Sequence, residues 1–272
     1  MNEENKKGKE HPLSLLAQEA YQVFSDMGFE IATGPELESE WYNFDVLNVP
    51  KDHPARDMQD TFWVRDPKCG CDTTNKKTSG TNPKCGCDTT NGETLGENSS
   101  QYVLRTHTTS VTARAVEQAG KEGRIPCAFI SIGKVFRNEA TDATHEMQFY
   151  QIDGIMAGNI KDGISIANLK GTLTQFYKKM LGENTEIEFR PSFFPFTEPS
   201  LEVHAKFNGR WLEMMGAGMI HPNVLRNLGL DPKKIQGFAF GGGLDRIAMI
   251  KWNIPDVRFF YQGDLRLNQF SK

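Results

Sequence analysis

The sequence predicts an α+β fold, a mostly antiparallel β-sheet flanked by helices, and three observations carry that reading. Strand-like runs follow one another without the regular crossover helices that a parallel sheet requires. Two segments show helical spacing of apolar residues: Leu13, Leu16, Ala20, Val23, Phe24 and Met27, and then Ile166, Leu169, Leu173, Phe176, Tyr177 and Met180. Near the C-terminal end, Phe238-Ala-Phe-Gly-Gly-Gly-Leu-Asp-Arg246 reads as a strand running through glycines into a final helix.

Taken in order, residues 1–10 are polar and predict a disordered tail, and the ordered part is expected over 11–272. The first helix is expected to stop at Gly28, and Phe29 to Thr33 to form a strand ending at Gly34-Pro35. A polar segment follows from Asn43 to Asp60. Residues 66–101 differ in kind. Asp66-Pro-Lys-Cys-Gly-Cys-Asp-Thr-Thr-Asn75 recurs almost unchanged as Asn82-Pro-Lys-Cys-Gly-Cys-Asp-Thr-Thr-Asn91. A repeat so rich in Gly, Thr and Asn cannot build a core, so it reads as a mobile surface insertion between two strands. Ser110 to Ala119 predicts a helix ending at Gly120. Cys127 to Arg137 and Met147 to Ala157 predict strands around the polar stretch Asn138 to Glu146. Leu201, Val203, Ala205 and Phe207 alternate with Glu202, His204 and Lys206, as in a half-buried strand, and Arg210 to Met215 predicts another.

Composition narrows the class. The chain has 272 residues, 38% hydrophobic and 24% charged, with 31 basic and 35 acidic side chains and a net charge of −4. That is an ordinary globular balance with no independent sign of nucleic-acid binding. No run approaches the about 18 consecutive apolar residues of a membrane span. The first ten residues lack the apolar core of a signal peptide, so a cytoplasmic address is expected. Four of the five cysteines form two Cys-Gly-Cys units, Cys69/Cys71 and Cys85/Cys87; Cys127 lies in an apolar run and reads as a buried small hydrophobe. The four paired thiols have two readings. One is a Cys₄ zinc site, although a single intervening residue is shorter than the usual zinc spacing; the other is a loop duplication without function.

Three constellations carry chemistry. In the first, Met27-Gly28-Phe29 to Pro35, an amphipathic helix meets a strand, which is ordinary structure taken alone. In the second, a strand ends at Arg137, a charged loop turns, and a strand returns with Phe149, Gln151 and Asp153 on one face. An aromatic, an amide and a carboxylate so placed suit a planar base beside an amino group, and Arg137 offers a planar fork for a phosphate. A polar hairpin with surface ion pairs would look the same. In the third, glycines before a helix permit close backbone approach and favour anions. Arg246 in that helix's first turn is poorly placed for helix stability, which hints at a functional demand.

In this order the three segments resemble motifs 1, 2 and 3 of class II aminoacyl-tRNA synthetases. Longer strings are similar to the α subunits of phenylalanyl-tRNA synthetases: Tyr42-Asn-Phe-Asp45 with Asp52-His-Pro-Ala-Arg-Asp-Met-Gln-Asp-Thr-Phe62, Leu104-Arg-Thr-His-Thr108, Thr141-Asp-Ala-Thr-His145, Phe193-Phe-Pro-Phe-Thr-Glu-Pro-Ser200 and Gly216-Ala-Gly-Met-Ile-His-Pro-Asn-Val-Leu225. The match covers roughly residues 11–65 and 102–270. The resemblance implies the class II catalytic fold and the ATP-dependent activation of L-phenylalanine, followed by transfer to tRNA(Phe). It implies that Arg137 holds the α-phosphate, that Phe149 stacks on adenine with Arg246 on its other face or at the γ-phosphate, that Glu139 accepts from the adenine amino group, and that His145 lies near the outer phosphates. Glu213 is the candidate ligand for the Mg²⁺ that accompanies ATP, unless it is only an exposed strand carboxylate. Phe194 and Phe196 would pack on the substrate ring, Ala239 and Gly241 would give the pocket depth, and His107, Thr109, Gln151 and Asp153 would bind the ammonium and carboxylate. Phe-Pro-Phe as plain core is the alternative.

Departures from the family pattern matter too. Asp153 stands where the family often has Glu, and Thr109 where many relatives have Ser. The long N-terminal helical arm usual in bacterial members is not seen ahead of the catalytic region; it is dispensable, on another chain, or this is a fragment. The resemblance also implies a larger β subunit in an (αβ)₂ heterotetramer, with motif 1 at the subunit interface and weak activity for the chain alone. Two rival functions stand beside this one. A related synthetase for another amino acid, such as phosphorylated serine, would want basic residues in place of Phe194 and Phe196. A non-catalytic paralogue would not need Arg137, Glu139, Phe149 and Arg246.

Overall fold

A computed structural model of the chain describes residues 9–57, 60–64 and 102–269. Of the tail expected at residues 1–10, residues 1–8 lie outside the described residues, as does the 66–101 insertion with Cys69, Cys71, Cys85 and Cys87.

The elements follow in chain order: α1 (Pro12–Asp26), β1 (Glu30–Ile31), β2 (Leu37–Ser39), β3 (Trp63–Val64), β4 (Tyr102–Leu104), α2 (Thr109–Lys121), β5 (Cys127–Phe136), β6 (Gln148–Asn159), α3 (Ile166–Leu181), β7 (Ile187–Phe194), β8 (Thr197–Phe207), β9 (Arg210–Ile220), α4 (Pro222–Asn227), β10 (Ile235–Gly243) and α5 (Leu244–Trp252). A seven-stranded sheet runs β1-β5-β6-β10-β9-β8-β7. Only the β1–β5 pair is parallel; the others are antiparallel. A small sheet, β2-β4-β3, stands apart, and the 66–101 segment connects its paired strands β3 and β4. The expected α+β class is what the chain forms.

α1 begins where His11 Nδ1 accepts the Leu13 amide at 3.2 Å and Pro12 presets the first turn. It stops at Gly28, whose φ of +85° suits glycine. The Gly28 and Phe29 amides reach back to the Ser25 and Phe24 carbonyls, closing the last turn. The strand expected over Phe29 to Thr33 shrinks to Glu30–Ile31, and the polar Asn43–Asp60 segment is less exposed than its composition suggests. Asn43 is buried, and so is Arg56, paired with Glu40 at 2.8 Å and Asp45 at 2.7 Å.

Gly120 does not end α2. The helix continues to Lys121 and turns out at Gly123, with φ +70°. Gly120 is small because a Cβ there would lie 2.7 Å from Leu230 Cδ2; it admits a neighbour rather than stopping a helix. In β8 the alternation is broken at His204, which is buried beside Val203 and Ala205.

Helices cover both faces of the large sheet. On one face α1, α3 and α5 pack over Ile130, Ile152, Val203, Phe238 and Phe240. On the other, α2 and α4 pack over Phe129, Ile155 and Ala157. The first core centres on Phe24, whose ring stacks on Phe176 at 4.7 Å and on Phe240 at 5.3 Å. Phe240 in turn lies across Gly154, its partner on β6; a Cβ on Gly154 would sit 2.1 Å from the ring. Gly154→Ala is therefore expected to cost about 1–3 kcal/mol, the range for overpacking a filled core. Urea unfolding checks this; an unchanged midpoint would show that Phe240 is free to move aside.

Candidate active site

β5 and β6 run antiparallel and are joined by a loop that springs from Arg137, whose amide donates to the Met147 carbonyl at 2.9 Å. Within the loop, Asp142 accepts the backbone amides of Thr144 at 2.6 Å and His145 at 2.8 Å and contacts His145 Nδ1 at 3.0 Å. Those bonds hold the Asp142 carboxyl well below the usual range and fix the loop that presents His145. On the returning strand the two-residue period turns Phe149, Gln151 and Asp153 to the face that α2 covers. The Arg137 guanidinium lies 5.1 Å from the Phe149 ring centroid, and its Nε donates to the Thr106 carbonyl at 3.3 Å. Burial works against the Arg137 charge, while Glu139 and Asp153 support it.

Asp153 meets the N-terminus of α2. Its Oδ1 accepts the Thr109 hydroxyl at 2.7 Å, and its Oδ2 accepts the Thr108 hydroxyl and the Thr108 amide. Thr108 makes no side-chain cap bond to its own helix, so this carboxylate supplies the negative group that a helix N-terminus favours. Burial nonetheless pushes the Asp153 carboxyl up to about 6, against those three bonds and Arg137. Gly241 faces Asp153 across the β6–β10 ladder, and a Cβ on it would lie 2.1 Å from Asp153 Oδ1. The expectation that Gly241 deepens the pocket thus gains a second reason: no other residue leaves room for the carboxylate.

The apolar end is built from β7 to β10. Phe194 and Phe196 stack with centroids 5.8 Å apart and planes 8° from parallel. Phe194 rests on Gly216, where a Cβ would meet the ring at 2.9 Å. Arg246 in the first turn of α5 donates from Nη1 to the Glu213 backbone carbonyl at 2.7 Å, and the Glu213 residue is exposed.

These parts surround one cavity of about 850 Å³. Its lining includes His107, Thr109, Arg137, Glu139, His145, Phe149, Gln151, Asp153, Phe194, Phe196, Glu213, Ala239, Gly241 and Arg246. Every expected site residue among the described ones therefore meets there, polar groups and phenyl rings together. Three buried polar atoms of its lining, His107 Nδ1, Gln151 Oε1 and Asp245 Oδ1, have no partner among the described residues. Sequence reading left three contributors without a role. Thr108 lies inside the quoted Leu-Arg-Thr-His-Thr string. Asp245 lies inside Gly-Leu-Asp-Arg. Arg105 is buried and donates to the carbonyls of Lys134 at 2.7 Å, Gly34 at 3.1 Å and Pro35 at 3.2 Å, tying motif 1 to β5. The signal for Arg105 was Gly133, where a Cβ would collide with the guanidinium at 2.2 Å.

The family model for the class II core domain of tRNA synthetases, of the F type, matches residues 1–270. The phenylalanine–tRNA ligase α subunit of Anoxybacillus flavithermus is 44% identical over 280 residues, covering 98% of this chain and 70% of that protein. The α subunit of Bacillus mycoides is 45% identical over 278 residues, covering 97% of this chain and 70% of its own. The chain belongs to the phenylalanine–tRNA ligase α subunits. The fold is also shared with the pyrrolysyl-tRNA synthetase of Desulfitobacterium hafniense, at TM-score 0.65 and 14% identity over 94% of this chain and 75% of that one. That agreement speaks to the fold alone.

His107 bears on how the family site behaves with pH. Burial first, and then the nearby Arg137 charge, lower its imidazole to about 4. In the unfolded chain it protonates near its ordinary 6.5, so folding loses stability as pH falls from that value toward 4. In an NMR titration the His107 ring signals are expected to hold still from pH 8 to about 5. A midpoint near 6.5 would mean that the ring is solvated.

Proposed function

We propose that this chain, a catalytic α subunit, activates L-phenylalanine with ATP in the cavity described and passes the acyl group to tRNA(Phe). The observation that carries the proposal is the convergence of Arg137 and Arg246 with the Phe194–Phe196 pair around one cavity. Two guanidiniums suit a polyphosphate, and two parallel rings suit a benzyl group. The Phe194–Phe196 slot offers no basic group for a phosphorylated side chain, and a non-catalytic relative would not need the converging arginines.

The reaction is attack of the substrate carboxylate oxygen on the α-phosphorus, with pyrophosphate leaving and phenylalanyl-adenylate formed; the acyl group then moves to the terminal ribose hydroxyl of tRNA. The chain positions the reactants and stabilises the charge that grows on the α-phosphate. Arg137 is assigned to that phosphate. A base stacked on Phe149 competes with the Arg137 guanidinium for the ring, so nucleotide entry is read as turning Arg137 toward the phosphate. Arg246, anchored by the Glu213 carbonyl, takes the other face of the base or the γ-phosphate. Glu139 accepts from the adenine amino group, and His145, held by Asp142, meets the outer phosphates.

Among the described residues no three His, Cys, Asp or Glu side chains gather as a protein-only metal cage. Glu213 would hold the Mg²⁺ that accompanies ATP, and the ion would neutralise phosphate charge. For the amino acid, Thr109 commits its proton to Asp153 and so turns lone pairs toward a substrate ammonium. Gln151 Oε1, buried and unpartnered, is the second acceptor, and Ala239 and Gly241 shape the slot beneath.

The β subunit is proposed to dock on the motif 1 side, where Ile31 at the edge of the large sheet and the nearby Leu37 and Trp41 are exposed. An (αβ)₂ assembly and a cytoplasmic setting belong to the same reading. Among the described residues no helix is long and apolar enough to cross a membrane.

Phenylalanine-dependent ATP–pyrophosphate exchange by the α/β complex tests the reading. Arg137→Ala is expected to lower kcat about 10²–10³-fold, the worth of a donor aimed at transition-state charge. No exchange with phenylalanine in the unaltered complex would end the proposal. Thr109→Val should raise KM for phenylalanine about 10- to 100-fold, the worth of a hydrogen bond to a charged group. If Asp153 acts through Thr109, adding Asp153→Asn to Thr109→Val costs little more; fully additive losses would place the ammonium directly on Asp153.

A further inference from the structure

Asp245 is a buried acid to which the proposed reaction gives no part. It sits in the second position of α5, 3% exposed, next to Arg246 and in the wall of the cavity. Its Oδ2 accepts the Tyr150 amide at 3.2 Å and the Tyr261 hydroxyl at 2.7 Å. Its Oδ1 is buried and has no partner among the described residues. Tyr150 is the residue after Phe149 and points to the opposite face of β6, so one carboxyl joins the neighbour of Phe149 to the neighbour of Arg246. Tyr261 adds the C-terminal segment, whose Val257 amide donates to the Ala143 carbonyl in the β5–β6 loop at 3.0 Å.

We propose that Asp245 is a positioning residue for the nucleotide: it locks the strand bearing Phe149 to the helix bearing Arg246 and so sets the width of the slot that receives the base. This rests on the assignment of Phe149 and Arg246 to ATP. The bond pattern tells how the lock works. Both of its donors converge on Oδ2, which leaves Oδ1 as the natural seat for a proton. Burial pushes this carboxyl up to about 7, in the same direction, with Glu146 adding to the push. A neutral acid accepting two hydrogen bonds on one oxygen has the shape of an asparagine amide, whereas alanine leaves the Tyr150 amide and Tyr261 hydroxyl unpaired.

The test is ATP–pyrophosphate exchange by the α/β complex with each substrate varied in turn. Asp245→Ala is expected to raise KM for ATP about tenfold, the worth of two lost hydrogen bonds and a displaced wall, while KM for phenylalanine moves less than about twofold. Asp245→Asn should recover most of that loss, and Tyr261→Phe, which keeps the Tyr150 bond, should show a smaller rise in the same parameter. Equal rises for both substrates, or an Asn variant as impaired as Ala, would overturn the proposal by reducing Asp245 to general stability. Should the Ala variant fail to fold, Asp245→Glu takes its place: the longer side chain keeps both acceptors but pushes α5 from β6, and an unchanged KM for ATP there overturns the proposal. If the unaltered complex exchanges with phenylalanine but Phe149→Ala and Arg246→Ala leave KM for ATP unmoved, the fault lies in the nucleotide assignment and not in Asp245.

Discussion

β10 pairs with β6 in one unbroken antiparallel register, from Ile235 opposite Asn159 to Gly243 opposite Gln151, and the site hangs on that alignment. On the face under α1 and α3, the register puts the Phe240 ring over Gly154 and so closes the aromatic core around Phe24. On the face under α2, it puts Gly241 beside Asp153, where only a glycine leaves space for the carboxylate. A slip of β10 by one residue would turn its two faces over, pulling Phe240 out of the aromatic core and taking Gly241 away from Asp153. Core packing and site geometry are thus enforced by the same ladder, and neither changes without the other.

Around that ladder the site is assembled from buried charge under restraint. Asp153 leaves water but gains a helix terminus and two hydroxyls; Arg137 leaves water but keeps Glu139 and Asp153 within reach. His107 stays neutral between them. Such groups are stable only as a set, because each desolvated charge is offset by a neighbour. The buried atoms without partners, on His107, Gln151 and Asp245, are where the set is incomplete within the protein. Two of them lie on the side assigned to the amino acid and one beside the slot assigned to the nucleotide. The apolar slot is simpler: a shelf made by Gly216, with Phe194 lying on it and Phe196 parallel above.

Much of this was legible because it depends on local periodicity. The helical spacing from Leu13 to Met27 and from Ile166 to Met180 marks faces that do bury. The alternation of Phe149, Gln151 and Asp153 gives their shared side without any structure. The errors have a common cause. Gly120 read as a helix stop because glycine usually is one, but its reason is Leu230, over a hundred residues away. Arg56 lies in a segment read only as polar, but it is buried and paired with Glu40 and Asp45. His204 followed a polar alternation and is buried all the same.

By itself, the sequence determined the α+β class, the strand–loop–strand and strand–helix elements that carry the chemistry, and the kinship with phenylalanine–tRNA ligase α subunits. Those follow from short-range order: side-chain period, glycine placement and unbroken strings of residues. Only the tertiary structure decided that Arg137, Arg246 and the Phe194–Phe196 pair share one cavity, that Asp153 serves the end of α2, and that Asp245 ties β6 to α5. The physical reason is distance along the chain. Contacts between residues a hundred apart are set by which strands pair and in what register, and that choice is made by the whole core at once.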